Sequence, residues 1–241
     1  MSERVAIVTG AGKRVGRVLA EGLLADGWTV VAHVHRANDA VPPGALAAVA
    51  DLAEPDCAER ILEACPAAPA LLVNNAARFA HDALADFSIT EFDAHMAVNV
   101  RAPALLTSAF GSAAGGEGDR LIVNILDAKL AAPNPDYLSY TLSKAALATL
   151  TELSARALGG QGIRVNAIAP ALMLQSAGQT SANFAAAHAF NPLGRGVTPE
   201  HVLTALRFLL DSPAITGEVL TVDGGQRFLS LPRDVQFLDP R

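Results

Sequence analysis

A chain of 241 residues, 51% hydrophobic and 17% charged, is long enough to bury a full core and fits a single domain. A formal net charge of -6 argues against nucleic acid or an anionic membrane as partner, and no apolar run reaches membrane-spanning length. Two cysteines, Cys57 and Cys65, lack metal-ligand spacing and read as ordinary thiols of a reducing compartment; the histidines likewise form no ligand pattern, so no metal is expected.

Short β-rich runs alternate with amphipathic helical ones. Strands are expected at Arg4–Thr9, Trp28–Val34, Ala45–Ala50, Ala70–Val73, Arg120–Ile125, Ile163–Ile168 and Val219–Val222. Helices are expected at Val15–Asp26, Pro55–Ala64, Thr90–Ser112, Tyr137–Leu158 and Pro199–Leu210. This order predicts an α/β fold: one Rossmann-type domain spanning 1–241, with a doubly wound parallel sheet of about seven strands. Gly115-Gly116-Glu117-Gly118 reads as a surface turn. The segment 172–193 has no strand pattern and suits a lid over a site, with helical parts. Residues 229–241, with two prolines, read as an extended tail. The start, Met1-Ser2-Glu3-Arg4, lacks a signal-peptide pattern, so a cytoplasmic location is expected.

The first strand runs into Thr9-Gly10-Ala11-Gly12-Lys13-Arg14-Val15-Gly16, which opens the first helix. Glycines let a backbone approach a pyrophosphate, and the amides of a helix start face negative charge, so this turn suits a dinucleotide. For NAD an acid is expected about 20 residues further on. Counting from Gly16 reaches Arg36, in the run His33-Val34-His35-Arg36. Basic groups there suit a 2′-phosphate, which favours NADPH; Asp39, a few residues on, leaves NAD open.

Tyr140 and Lys144 stand one helical turn apart in Y-T-L-S-K, with Asp127 at the end of an apolar strand thirteen residues upstream. A cation beside a phenol lowers its pKa, so the pair reads as a proton-transfer device. Asp127 reads either as a reacting carboxylate or as a cap for the loop after its strand.

Taken together, these residues resemble the short-chain dehydrogenase/reductase family over nearly the whole chain. Thr9, Gly10 and Gly16 match its T-G-x-x-x-G-x-G turn, with Arg14 in place of the middle glycine. Asp51-Leu52 matches its adenine-reading pair, Asn74-Asn75-Ala76-Ala77 its N-N-A-G, Asn99 its catalytic asparagine, and Tyr140 and Lys144 its Y-x-x-x-K. Pro170 and Asp223-Gly224-Gly225 match the ends of its last two strands. Arg14, His33-Val34-His35-Arg36, Phe79 and Asp127 at the family's serine position resemble the pteridine reductase and dihydromonapterin/dihydrofolate reductase-like subgroup.

The resemblance implies catalytic roles for Asp127, Tyr140, Lys144 and Asn99. It implies NADPH contacts from Gly10, Lys13, Arg14, Val15, Gly16, His33, His35, Arg36, Asp51, Leu52, Asn75, Ala76, Tyr140, Lys144 and Pro170. Substrate contacts fall to Arg14, Phe79, Asp127 and Tyr140, with Phe79 offering an aromatic face to a flat ring or serving simply as core. The substrate is then a small molecule, a pterin or folate-like compound. A carbonyl substrate, or a silent NADP-binding sensor, is the competing reading. The family's habit implies a homotetramer, and the tail 229–241 is expected to reach a neighbouring subunit.

Overall fold

The computed structural model describes residues 4–113, 118–175 and 179–237. Seven parallel strands form one sheet: β1 (Val5–Val8), β2 (Thr29–Val34), β3 (Leu46–Val49), β4 (Leu71–Asn74), β5 (Arg120–Ile125), β6 (Ile163–Pro170) and β7 (Val219–Val222). Their spatial order is β3-β2-β1-β4-β5-β6-β7, so the winding reverses between β1 and β4. The runs V-A-I-V, L-L-V-N and R-L-I-V-N-I are buried throughout, as strands covered on both faces must be.

Helices α1 (Arg14–Ala25) and α7 (Pro199–Leu210) cover one face, packing Leu19, Leu23, Val202 and Leu206 onto Ala6, Val8, Leu71 and Val73. Helices α2 (Cys57–Glu63), α3 (Ile89–Met96), α4 (Ala102–Ser112) and α5 (Leu138–Leu158) lie on the other side of the chain's order, where Ile61, Leu106, Phe110 and Ala155 pack onto Val5, Ile7, Leu72 and Ile122. A short α6 (Ser181–Ala189) falls within the segment expected to form a lid. No helix among the described residues is long and apolar enough to cross a membrane.

Two expectations change. The helix expected over Thr90–Ser112 starts one residue earlier, and its i→i+4 ladder is interrupted by a π-helical stretch at Ala97–Arg101. Hydrophobic periodicity is nearly blind to one inserted residue, whereas π-turns of this kind concentrate at functional sites. The tail is not simply extended: 3-10 turns occur at Gln226–Leu229 and Val235–Phe237, and Arg233 and Asp234 bond Asp136 of their own chain. Of the expected Gly-rich surface turn, residues 115–117 lie outside the described residues, as do 176–178 of the lid and 238–241 of the tail.

Phe110 is fully buried, and the Arg120 guanidinium stacks 4.3 Å over its ring while donating a hydrogen bond to its carbonyl. Phe110→Ala is expected to lower stability by about 3–5 kcal/mol, since the cavity adds to the lost transfer energy and a buried guanidinium loses its cover. Urea denaturation measures this; a loss below about 1 kcal/mol would mean that the packing collapses around the gap.

Candidate active site

The C-terminal ends of β1, β4, β5 and β6 converge at the reversal point, where open parallel sheets form their binding crevice. Gly10 takes a left-handed φ of +66°, and a Cβ on Gly16 would fall 2.2 Å from the Gly10 carbonyl oxygen. Only glycine permits so close a return of helix onto turn. Thr9 holds the next loop: its hydroxyl accepts the Asn75 and Ala76 N–H groups at 2.9 and 3.0 Å, and its carbonyl accepts Asn75 Nδ2 at 2.8 Å. No side chain caps the start of α1, so its first amides stay open to an anion. Lys13 and Arg14 are exposed beside it, and Val15 turns inward against the core. This cradle fits a dinucleotide pyrophosphate.

The histidines of β2 separate in role. His33 is buried, accepts the Gly10 N–H at Nδ1 (3.1 Å) and lies 3.0 Å from the Ala50 carbonyl at Nε2. Burial lowers its pKa, and both its ring nitrogens are engaged beneath the turn for which the sequence predicts a cofactor contact. His35 is exposed, with Nδ1 3.8 Å from Asp51, and Arg36 is exposed next to it. Asp39, the acid that kept NAD open, accepts the Arg36 N–H at 2.9 Å and thus closes its own turn. Asp51 accepts the Ala53 N–H at 2.8 Å, Leu52 is buried behind it, and Pro170 ends β6 opposite Val222.

Tyr140 and Lys144 sit in the first two turns of α5, both buried, beside the end of β5. The Tyr140 hydroxyl donates to Asp127 Oδ2 at 2.9 Å. Asp127 Oδ1 accepts the Lys129 N–H at 2.8 Å. One Asp127 oxygen therefore caps the loop, and the other is brought to the phenol. Lys144 Nζ donates to the Ile125 carbonyl at 2.7 Å and stands 5.8 Å from the Tyr140 ring centroid. Asn99 projects from the π-helical stretch into full burial. Its amide accepts the Arg78 N–H at 2.7 Å, donates to the Arg78 carbonyl at 3.0 Å and reaches Ser143 Oγ at 2.9 Å. Ser143, which the sequence did not single out, links Asn99 to the Tyr140 carbonyl at 2.7 Å.

The electrostatics reverse one expectation. Lys144 was expected to lower the Tyr140 pKa; instead burial, and then the Asp127 carboxylate, push it well above the usual phenol range. Burial also raises Asp127 above the ordinary carboxylate range, against its hydrogen bonds from Lys129 and Tyr140. Lys144 is pulled down to about 8 by burial, with Asp127 working the other way. A dry pocket favours the neutral form of all three groups, and at 5.8 Å from the ring one ammonium does not offset that for the phenol.

These groups open into a cleft of about 120 Å³ lined by Phe79, Asp127, Lys129, Asn134, Tyr140 and Leu172, and by Arg227, Leu231, Arg233, Asp234 and Val235 of the chain's C-terminal strap. Phe79 is half exposed, its ring edge-on to Tyr140 and stacked on Tyr137 with centroids 4.3 Å apart; it is a wall and not core. Arg14, also with a left-handed φ of +53°, donates to the Gln175 carbonyl at 3.1 Å and so ties the cradle to the start of the lid segment.

A glycine-turn cradle beside a Tyr-Lys-Asn constellation on a doubly wound sheet defines a nicotinamide-dependent oxidoreductase. A family profile described as enoyl-(acyl carrier protein) reductase matches residues 10–227. L-xylulose reductase of Mesocricetus auratus is 34% identical over 93% of this chain and 97% of its own. A 3-oxoacyl-[acyl-carrier-protein] reductase of Synechocystis is 30% identical over 93% of this chain and 97% of its own. Among solved structures, FolM alternative dihydrofolate reductase 1 from Brucella suis, in complex with NADP, superposes with a TM-score of 0.85 at 30% identity, covering 94% of this chain and 96% of that one. The chain belongs to the short-chain dehydrogenase/reductase family.

In the cofactor-free protein, NMR titration of labelled lysine is expected to place the Lys144 midpoint near 8. Asp127→Asn should move that midpoint further down, because the carboxylate favours the ammonium. A midpoint above 10, or an upward move in the variant, contradicts the burial argument. The linkage sign agrees: a lysine depressed in the folded state destabilises below about pH 8, and stability recovers as pH rises from there toward its ordinary value.

Proposed function

We propose that this chain is an NADPH-dependent reductase of a pterin or dihydrofolate-like compound, acting on a C=N bond of a flat ring. The Asp127–Tyr140 hydrogen bond at the floor of an aromatic-walled cleft carries this reading. Reduction of a ring imine needs a proton at nitrogen, and a carboxyl group whose pKa burial pushes upward is a better source of it than a phenol raised well above its ordinary range. The pair holds its protons as a unit, so Asp127 supplies and Tyr140 relays within one coupled titration. Phe79 offers its exposed face to the ring. The NADP bound in the similar FolM structure supports the same cofactor here, as do exposed Arg36 and His35 at the place where an NAD enzyme needs an acid.

Gly10 to Gly16 would hold the pyrophosphate, Asp51 and Leu52 the adenine, and Tyr140 with Lys144 the nicotinamide ribose. When bound, the nicotinamide supplies the hydride. Asn99 positions the start of α5 through Ser143 and keeps the site's backbone in place. The relatives named as xylulose and 3-oxoacyl reductases favour a second reading, a carbonyl substrate with Asp127 serving as loop cap. Exposed Leu142 and Leu153 on α5 support a homotetramer joined through that helix, which light scattering tests.

NADPH oxidation is followed with dihydrobiopterin, dihydromonapterin, dihydrofolate and simple ketones, using the native protein and Asp127→Ser. Turnover of pterins or dihydrofolate, cut at least a hundredfold in the variant, is the expected result, in the range for loss of a general acid. Reduction of ketones alone, undiminished in the variant, would falsify the proposal. Separately, Arg36→Asp should weaken NADPH about tenfold or more while sparing NADH, the size of one charge-assisted contact. Equal weakening of both cofactors removes the NADP assignment.

A further inference from the structure

Helix α5 carries Tyr140 and Lys144, yet its own N-cap residue does not close its first turn. That residue, Tyr137, has a left-handed φ of +57° and caps the helix with no side-chain hydrogen bond. The open amides of a helix start need acceptors, and here another segment supplies them. The Asp82 carbonyl accepts the Leu138 N–H at 3.1 Å, and Asp82 Oδ1 accepts the Ser139 N–H at 3.0 Å. Ser139 Oγ donates to Asp82 Oδ2, and both residues are buried. Asp82 thus caps α5 from outside, on the two residues directly before Tyr140, where a carboxylate also suits the helix dipole.

A cap of this kind holds a helix only if it is itself held. The loop of Asp82 follows β4, carries Phe79 and is pinned on both sides of that ring. Asn99 bonds the Arg78 backbone at its N–H and its carbonyl, and His95 Nε2 accepts the Ala80 N–H at 3.3 Å. His95 is fully buried in α3, with Nδ1 2.7 Å from the Glu91 carbonyl, and Glu91 pairs with the Arg78 guanidinium at 2.7 Å. The loop therefore runs as a brace from α3 and the π-helical stretch to the start of α5. Phe79 adds a contact on the way, edge-on to the Tyr140 ring with centroids 4.8 Å apart.

We propose that Asp82 is a positioning residue for Tyr140, fixing the first turn of α5 so that the phenol meets Asp127 Oδ2. Asp82 is not part of the cleft lining and acts through Ser139. The proposal takes the Asp127–Tyr140 pair as the working part of the site, whichever ring is reduced. A displacement of about 1 Å at a reacting group costs up to about a hundredfold in rate, so a cap beside it bears on the chemistry as well as on folding.

Tyr137 and Tyr140 are the chain's two tyrosines, so labelling with [ζ-13C]tyrosine gives two NMR signals, which Tyr140→Phe assigns. The Tyr140 signal reports the hydrogen bond that its hydroxyl makes. Asp82→Ala is expected to move it toward the position it takes in Asp127→Ala, where that bond is absent. Asp82→Asn should restore it, because the amide oxygen accepts the Ser139 N–H and the amide N–H donates to the Ser139 hydroxyl. Ser139→Ala, which removes the hydroxyl contact alone, should move the signal part of the way, and it decides the matter if Asp82→Ala does not fold. With NADPH and dihydrobiopterin, Asp82→Ala should lower kcat about tenfold and leave KM for the pterin near native, as loss of alignment in the transition state requires. A Tyr140 signal unmoved in Asp82→Ala and Ser139→Ala overturns the proposal. So does a shift that Asp82→Asn leaves in place, or a raised KM with kcat unchanged. If the native protein reduces no dihydropterin, the assigned reaction falls, and the NMR signals alone decide the role of Asp82.

Discussion

A carboxylate and a phenol, 2.9 Å apart and removed from water, set the terms for everything else around the cleft. Each sits where the fold cannot easily move it. Asp127 follows directly on β5, paired along its length with β4 and β6, and its second oxygen is spent on the Lys129 N–H. Tyr140 lies in the first turn of α5, whose start is fixed by Tyr137 in a left-handed conformation and by Asp82, which accepts the Ser139 N–H at 3.0 Å. Strain at Tyr137 costs about 1–3 kcal/mol by the usual scale of such outliers, and it persists where surrounding packing over-determines it. Here Phe79 stacks on that ring from one side and Phe237 covers it from the other.

Much of this was legible in the sequence, for physical reasons. Strands buried on both faces must be continuous apolar runs, so V-A-I-V and L-L-V-N announced a parallel sheet. A turn in which a Cβ on the helix start would fall 2.2 Å from a carbonyl oxygen tolerates only glycine, so Gly10 and Gly16 marked the cradle. Tyr140 and Lys144 one turn apart required no tertiary information to share a face.

What stayed hidden depends on burial or on distant pairing. His33 and His35 alternate along one strand, and alternation cannot say that one ring lies under the turn with both nitrogens engaged. The π-helical stretch that swings Asn99 inward leaves no hydrophobic signature. Lys129, Asn134, Asp136 and Asp234 form no motif, because their meeting depends on a strap that returns about 98 residues along the chain to reach Asp136. The sign of the Tyr140 shift was unreadable for the same cause: a sequence shows the cation nearby but not the dryness of the pocket, and dryness dominates.

That dryness also decides which proton donor the site favours. Burial pushes Asp127, Tyr140 and Lys144 each toward its neutral form, raising the pKa of the two acids and lowering that of the lysine. A site built to stabilise a phenolate would need the ammonium in contact with the phenol oxygen; here Lys144 is committed to the Ile125 carbonyl. On the proposed reading, the carboxyl group is the stronger of the two acids that face the substrate. Were a serine at position 127, the same burial would leave only a phenol of raised pKa, and the balance would return to the lysine. On the proposed reading, that carboxyl group is what suits the site to an acceptor nitrogen that has to be protonated as it is reduced.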